Sequence, residues 1–271
     1  MSGDALDVEF SGSIPEAYDR YLGPLLFEWS AQDMAVRVAA FSPRRVLEIA
    51  AGTGILTRHL AANLDGAEII ATDLSEAMLD YAAEVNGALP KVTYRQADAL
   101  DLNFEEGGFD AVVCQYGIMF FPDKAKGMAE MTRMLRPGGM LALNVWDDFI
   151  ANPAVAIVDR VIKSRFGDDP PRFLEVPFSM SDVTEVKALF EAEGLVDVVS
   201  NRVTRLQTAE HMDVARGFVT GNPTINELRS RADVDPDEVV RAAAEALEAE
   251  FGPSPATMPF AQITYSGVKP S

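Results

Sequence analysis

The stretch Val46-Leu47-Glu48-Ile49-Ala50-Ala51-Gly52-Thr53-Gly54-Ile55-Leu56-Thr57 reads as a buried strand that ends in a tight glycine turn and opens a helix. Glu48 stands just before the turn, and Asp73 lies 19 residues past Gly54, at the end of the next apolar run. The arrangement suits a nucleoside ligand. Glycine lets the backbone approach it, and a carboxylate accepts both ribose hydroxyls. Dinucleotide-binding folds carry a similar loop, G-x-G-x-x-G, whose third glycine packs helix against strand. Thr57 occupies that position here, which weakens the dinucleotide reading.

Working outward, strands are expected at 44–50, 68–72, 92–96, 109–115 and 140–146, with helices between them at 54–63, 75–86 and 123–135. Ser75 reads as a helix N-cap, and Arg136-Pro137-Gly138-Gly139 as a turn. Such alternation predicts an α/β fold, a doubly wound, mostly parallel sheet with helices on both faces. Ligands in these sheets bind beyond the carboxyl ends of the strands. Residues 14–41 have helical spacing, with Gly23-Pro24 as a break between two short helices, and residues 1–12 read as a mobile tail. Further on come a helix at 153–166, a helix capped by Ser181-Asp182, a strand at 195–206, helices across 208–251 and a strand at 256–268.

With 271 residues, 48% of them hydrophobic, the chain can bury one sizeable core. The net charge of −19 disfavours a nucleic-acid partner, which needs cations to neutralise phosphates. Cys114 is the single cysteine, so no intrachain disulfide is possible, and no metal-ligand set is expected. No apolar run approaches the roughly 18 residues that span a bilayer. The start MSGDALDVEF lacks the basic and apolar regions of a secretory signal, so a cytoplasmic protein is expected.

Four successive strand ends carry matching signals: Glu48/Gly52/Gly54, Asp73-Leu74 with Met78, Ala97-Asp98-Ala99, and Gln115-Tyr116-Gly117-Ile118-Met119-Phe120. Together with the phrase LRPGGMLAL, they resemble the motifs of class I S-adenosylmethionine-dependent methyltransferases over about residues 40–147. The branch they are most similar to is the small-molecule one around the ubiquinone/menaquinone methylases. The resemblance implies a seven-stranded sheet with S-adenosyl-L-methionine as cofactor. The backbone from Ala50 through Gly52 to Gly54, beside Glu48, would lie against its methionine part. Asp73 would take the ribose hydroxyls, Leu74 and Met78 would sandwich the adenine, Asp98 and the Ala99 N–H would read its edge, and Gln115, Tyr116 and Gly117 would border the methyl group. Residues 14–27, with Tyr18 and Tyr21, resemble the family's N-terminal cover.

The implied organisation is a tail and cover (1–41), a core (42–206 plus 254–271, including a connection at 147–180), and a helical insertion (207–253) that forms a substrate lid. Methyl transfer to a small, largely apolar or aromatic metabolite is the leading function. A non-catalytic nucleotide-binding scaffold is the alternative, and a nicotinamide oxidoreductase a weaker third. Met78 reads equally as core filler, and His59 as a packing or surface residue. Cys114 reads as a buried strand residue. Tyr116, Phe120, Phe121, Trp146 and Phe149 read either as a pocket wall or as core. His211, in the variable helical region, is either an exposed helix residue or the catalytic base, since histidine takes a proton near neutral pH.

Overall fold

The structure, a computed structural model, describes residues 14–166, 170–231 and 234–271. The expected tail at 1–12 lies outside the described residues. Strands β1 (Arg45–Ile49), β2 (Glu68–Asp73), β3 (Val92–Gln96), β4 (Phe109–Gln115), β5 (Leu135–Trp146), β6 (Val196–Ala209) and β7 (Ala256–Val268) form one sheet in the order β3-β2-β1-β4-β5-β7-β6. The first five pair in parallel, and β7 runs antiparallel between β5 and β6. Central β1 and β4 are almost wholly buried because helices cover both faces of the sheet.

The helices are α1 (Ile14–Ala17), α2 (Glu28–Ala40), α3 (Ile55–Asn63), α4 (Glu76–Asn86), α5 (Lys124–Met134), α6 (Pro153–Lys163), α7 (Val183–Ala192), α8 (His211–Thr220), α9 (Thr224–Arg229) and α10 (Pro236–Phe251). Ser75, Asp123, Asp182 and Asp235 cap α4, α5, α7 and α10 by accepting backbone N–H groups. From β1 the chain builds β2 and β3 on one side, then crosses to build β4 and β5 on the other. The carboxyl ends of β1 and β4 are therefore the switch point, where a crevice opens.

Two expectations are corrected. Gly23-Pro24 does not separate two helices. Tyr18–Phe27 is a π-helix joining α1 to α2, and Glu28 N–H donates to Gly23 O, five residues back. Proline removes one i→i−4 bond and crowds that carbonyl; the wider π turn re-pairs the neighbouring groups instead of ending the helix. The Arg136–Gly139 turn is also absorbed into a strand. β5 starts at Leu135, opposite Phe109, and the register jumps so that Met140 faces Ala111. Gly138, at φ +72°, bulges and donates to Lys269 O, which keeps the ladder going. β6 also runs on to Ala209, so the helices after it begin at His211.

Candidate functional site

The glycine turn does two separate jobs. Gly54 (φ +75°) is a packing glycine: a Cβ there would lie 2.4 Å from Asn86 Nδ2 and 3.0 Å from Ala82 Cβ. Asn86 donates to Gly54 O and to Tyr94 OH, locking α4 and β3 under the loop. Gly54→Ala is expected to cost about 1–3 kcal/mol of stability through overpacking, measurable by urea denaturation. Gly52 (φ +56°) is the opposite case. A Cβ there meets nothing within 4 Å, because the residue faces an open pocket of about 320 Å³. Glu48, Ala50, Ala51, Thr53, Gln115 and Tyr116 share that wall with Tyr18 and Phe27 from the π-helix.

Asp73 lines neither pocket but is tied to Gly52, which does line the glycine-loop pocket, and to the start of α4 by backbone donors. Gly52 N–H donates to Oδ2 and Ser75 N–H to Oδ1, both at 2.8 Å. A carboxylate has about four lone-pair positions, so both oxygens keep capacity for further donors. Burial raises the Asp73 pKa, against the pull of the Ser75, Gly52 and Leu74 N–H groups. Glu48 is 1% exposed and sits mid-sheet. Thr57, where a dinucleotide site would carry glycine, donates to Glu48 Oε2 at 2.7 Å. Burial pushes Glu48 up to about 8, with the Asp73 charge adding and the Thr57 bond opposing.

A carboxyl with a raised folded-state pKa binds its proton more tightly in the native state. Its contribution to stability is full below the unfolded value of 4.5 and is lost as pH rises through about 8. The free energy of unfolding is therefore expected to fall between pH 4.5 and 8 in the wild type, and less steeply in Glu48→Gln. Parallel slopes in urea titrations across that range would contradict it.

Asp19, on the π-helix, accepts from Thr53 Oγ1 at 3.3 Å, and burial raises its pKa despite nearby Arg58. Three carboxylates thus surround the glycine loop. Glu28 takes Arg58 and, at 2.7 Å, His59 Nε2, tying α2 to α3, so His59 is a packing residue. Leu74 projects into solvent at 67% exposure, while Met78 is buried in α4. Asp98 is exposed, its Oδ1 accepting from Leu100 N–H at 2.8 Å, and Ala99 packs half-buried beside it. Neither lines the glycine pocket. Gly117 passes so close to Ala50 that a Cβ would lie 2.4 Å from Ala50 Cβ.

A second pocket of about 570 Å³ adjoins the first, and Tyr18, Phe27 and Tyr116 wall both. Phe120, Trp146, Phe173, Phe178, Phe218 and Phe260 complete an aromatic lining. Tyr116 stacks on Trp146 with centroids 3.9 Å apart and planes at 5°. Phe121 and Phe149 line neither pocket; Phe149 stacks on Phe178 behind the wall. Two amides in the lining are already spent. Asn152 shares its two amide protons among Asp147 O, Asp148 O and Ala261 O and accepts from Ala261 N–H. Asn222 bridges Phe218 O and Thr224 N–H. Among the described residues, this lining holds no Asp, Glu, Lys, Arg or His.

His211 is not brought to either pocket. It is 3% exposed at the start of α8, where its backbone N–H donates to Ser254 Oγ, so the helix start fixes it against the β7 approach. Tyr21 lines neither pocket; the π turn presents Tyr18 instead, and Arg20 lies over the Tyr21 ring at 5.4 Å. Cys114 is fully buried, and burial pushes its thiol up to about 12. Among the described residues, no cluster of potential metal ligands occurs. Sequence reasoning missed Phe173, Phe178 and Phe218, which lie outside every motif.

Residues 46–139 match the family model described as a methyltransferase domain. A demethylmenaquinone methyltransferase from Staphylococcus aureus is 32% identical over 222 residues, covering 74% of this chain and 89% of that protein. The chain belongs to the class I S-adenosylmethionine-dependent methyltransferases. A ubiquinone/menaquinone biosynthesis C-methyltransferase of Idiomarina loihiensis is 34% identical, covering 62% of this chain and 72% of that one. A demethylmenaquinone methyltransferase of Deinococcus radiodurans is 41% identical over 110 residues, 40% of this chain and 46% of that one. The chain thus spans about half the length of several curated relatives it matches. In fold, it is similar to the YcgJ protein of Bacillus subtilis, with a TM-score of 0.60 at 20% identity, covering 90% of this chain and 99% of the other.

The family's cofactor is S-adenosylmethionine, and the residues present fit it. The open face of Gly52 leaves room for a ligand backbone. Burial holds the carboxyl groups of Glu48, Asp73 and Asp19 short of full ionisation, and a cationic ligand beside them would favour their charged forms; Leu74 offers an exposed apolar face beside Asp73.

Proposed function

We propose that the protein transfers a methyl group from S-adenosylmethionine to a small, largely apolar or aromatic metabolite by in-line displacement. The observation that carries this reading is the aromatic pocket abutting the glycine-loop pocket across Tyr18, Phe27 and Tyr116. The names of the curated relatives, which refer to demethylmenaquinone and to ubiquinone/menaquinone biosynthesis, support an aromatic acceptor. The bound cofactor supplies an electrophilic methyl group on a sulfonium. The chain supplies alignment and a dry site, which are the main requirements of such a displacement.

In this reading Asp73 holds the ribose, Leu74 and Met78 flank the adenine, Asp98 and Ala99 meet its edge, and Gln115 to Gly117 border the methyl group. Residues 207–253 act as an inserted lid. Its support is α8, which packs on the π-helix so closely that a Cβ on Gly217 would lie 2.6 Å from Leu22 Cδ2, while Phe218 and Asn222 reach the pocket. The cover and lid together exclude water. The lining tyrosines stay neutral, since burial raises the pKa of both Tyr18 and Tyr116. With His211 away from the lining, the acceptor supplies the electron pair for the new bond, the pair of the broken S–CH3 bond returns to sulfur, and any proton the methylated acceptor must lose passes to bulk water when the product leaves the site. A cytoplasmic setting fits an acidic chain in which, among the described residues, no helix is long and apolar enough to cross a membrane.

The test is an acceptor panel incubated with S-adenosylmethionine, reading S-adenosylhomocysteine formed. Neutral aromatic rings should be turned over in preference to carboxylated or phosphorylated analogues, because burying an unpaired anion in this lining is costly. Preference for the charged analogues would contradict the proposal.

A further inference from the structure

Ser30, Asn144 and Gln262 belong to no motif and line neither pocket, yet they meet in the core around one hydroxyl. Tyr116 OH lies 2.9 Å from Ser30 Oγ and also against Gln262 Oε1, with one proton to give. Ser30 Oγ donates to Gln262 Oε1 at 2.6 Å. Asn144 Nδ2 donates to both Ser30 Oγ and Gln262 Oε1, at 2.8 Å each. Four separate pieces of the fold supply these residues: α2, the turn after β4, β5 and β7.

The arrangement is expensive for folding. Gln262 Nε2 and Asn144 Oδ1 are buried without a partner. A half-satisfied polar cluster is worse for stability than an apolar core. Tyr116 itself sits at φ +53°, a region unfavourable for a large side chain. Apolar packing would serve stability better, so the cluster's use lies in what it holds. It holds the Tyr116 ring, flat against Trp146 and 5.7 Å from the edge-on Phe27, at the one wall where the two pockets meet above β4.

We infer that Ser30, Asn144 and Gln262 are positioning residues that act through Tyr116, fixing its ring as a rigid partition between the cofactor pocket and the aromatic pocket. The inference rests on the reading of the two pockets given above. Rigidity matters there because an in-line displacement tolerates little misalignment of its reactants.

The experiment uses the full chain with Trp29→Phe, which leaves Trp146 as the sole tryptophan. Trp29 Nε1 has no partner, so this change breaks no hydrogen bond of the indole. Acrylamide quenching of Trp146 and calorimetric affinity for S-adenosylhomocysteine are then measured. Gln262→Leu and Tyr116→Phe should each raise the quenching constant at least twofold. The double variant should go no further than the larger single effect, because both changes cut the same contact. Gln262→Leu should keep its affinity within twofold of the parent. Ser30→Ala makes the same test if Gln262→Leu does not fold. Unchanged quenching in folded variants, or additive increases in the double variant, would overturn the inference. So would a lowered thermal midpoint with Trp146 equally shielded, which would make the cluster a stabilising element only. Failure of the cofactor reading shows separately, as a parent protein that takes up no S-adenosylhomocysteine; the quenching readout does not depend on that ligand.

Discussion

Gly52→Val is expected to weaken S-adenosylhomocysteine binding by more than a hundredfold while leaving a folded protein. A Cβ at Gly52 meets no protein atom within 4 Å, so a side chain there starts into the open pocket, which in this account is ligand space. The left-handed backbone at φ +56° adds strain of about 1–2 kcal/mol, which a domain with roughly 5–15 kcal/mol of stability survives. Far-UV circular dichroism beside calorimetry separates the effects. A variant that folds and still binds would show that Gly52 serves the turn alone. Gly54→Ala is the internal contrast, because its new atom collides with Asn86 and Ala82 rather than with ligand space.

Asp73→Ala should lower affinity for S-adenosylmethionine tenfold to a hundredfold. A hydrogen bond to a charged acceptor is worth about 1.5–3 kcal/mol, and each 1.4 kcal/mol is about tenfold. Part of the loss is indirect, because Asp73 also accepts the Gly52 N–H that shapes the loop. Asp73→Asn keeps an acceptor oxygen but removes the charge, so its affinity should fall between those of the wild type and the alanine variant. Unchanged affinity in Asp73→Ala, measured by calorimetry, would remove this residue from the ligand's reach.

Much of the fold was legible because its signals are local. The β1 run, the glycine turn, the Ser75 cap and the apolar β2 run follow one another in the chain, and each element's type is fixed by neighbours within a few residues. The π-helix was not legible, since Pro24 in a helical pattern ordinarily marks an end, and the packing that accompanies the wider turn, against α8 and α3, comes from elsewhere in the chain. The β5 bulge was hidden for a similar reason: Arg136-Pro137-Gly138-Gly139 carries turn chemistry, and the Gly138 bond to Lys269 lies at the far end of the chain.

The candidate site divides the same way. Gly52 and Tyr116, which line the glycine-loop pocket, belong to strand-tip motifs that stand out in the sequence. Phe173, Phe178 and Phe218 do not stand out, because an aromatic residue in an irregular segment looks the same whether it fills core or walls a pocket. Gln262 is the one amide in β7, beside threonines and a serine that strands commonly carry, and that was the available signal. His211 drew attention through its chemistry alone, and its position is set by contacts with Ser254 that no local pattern announces.

The most direct measurement is a calorimetric titration of the wild-type protein with S-adenosylhomocysteine, run beside an identical titration with NAD. Saturable one-to-one binding of S-adenosylhomocysteine is predicted, with no heat of binding from NAD, because Thr57 stands where a dinucleotide loop carries its third glycine and is tied to Glu48. Binding of NAD without binding of S-adenosylhomocysteine would contradict the assignment of the glycine-loop pocket.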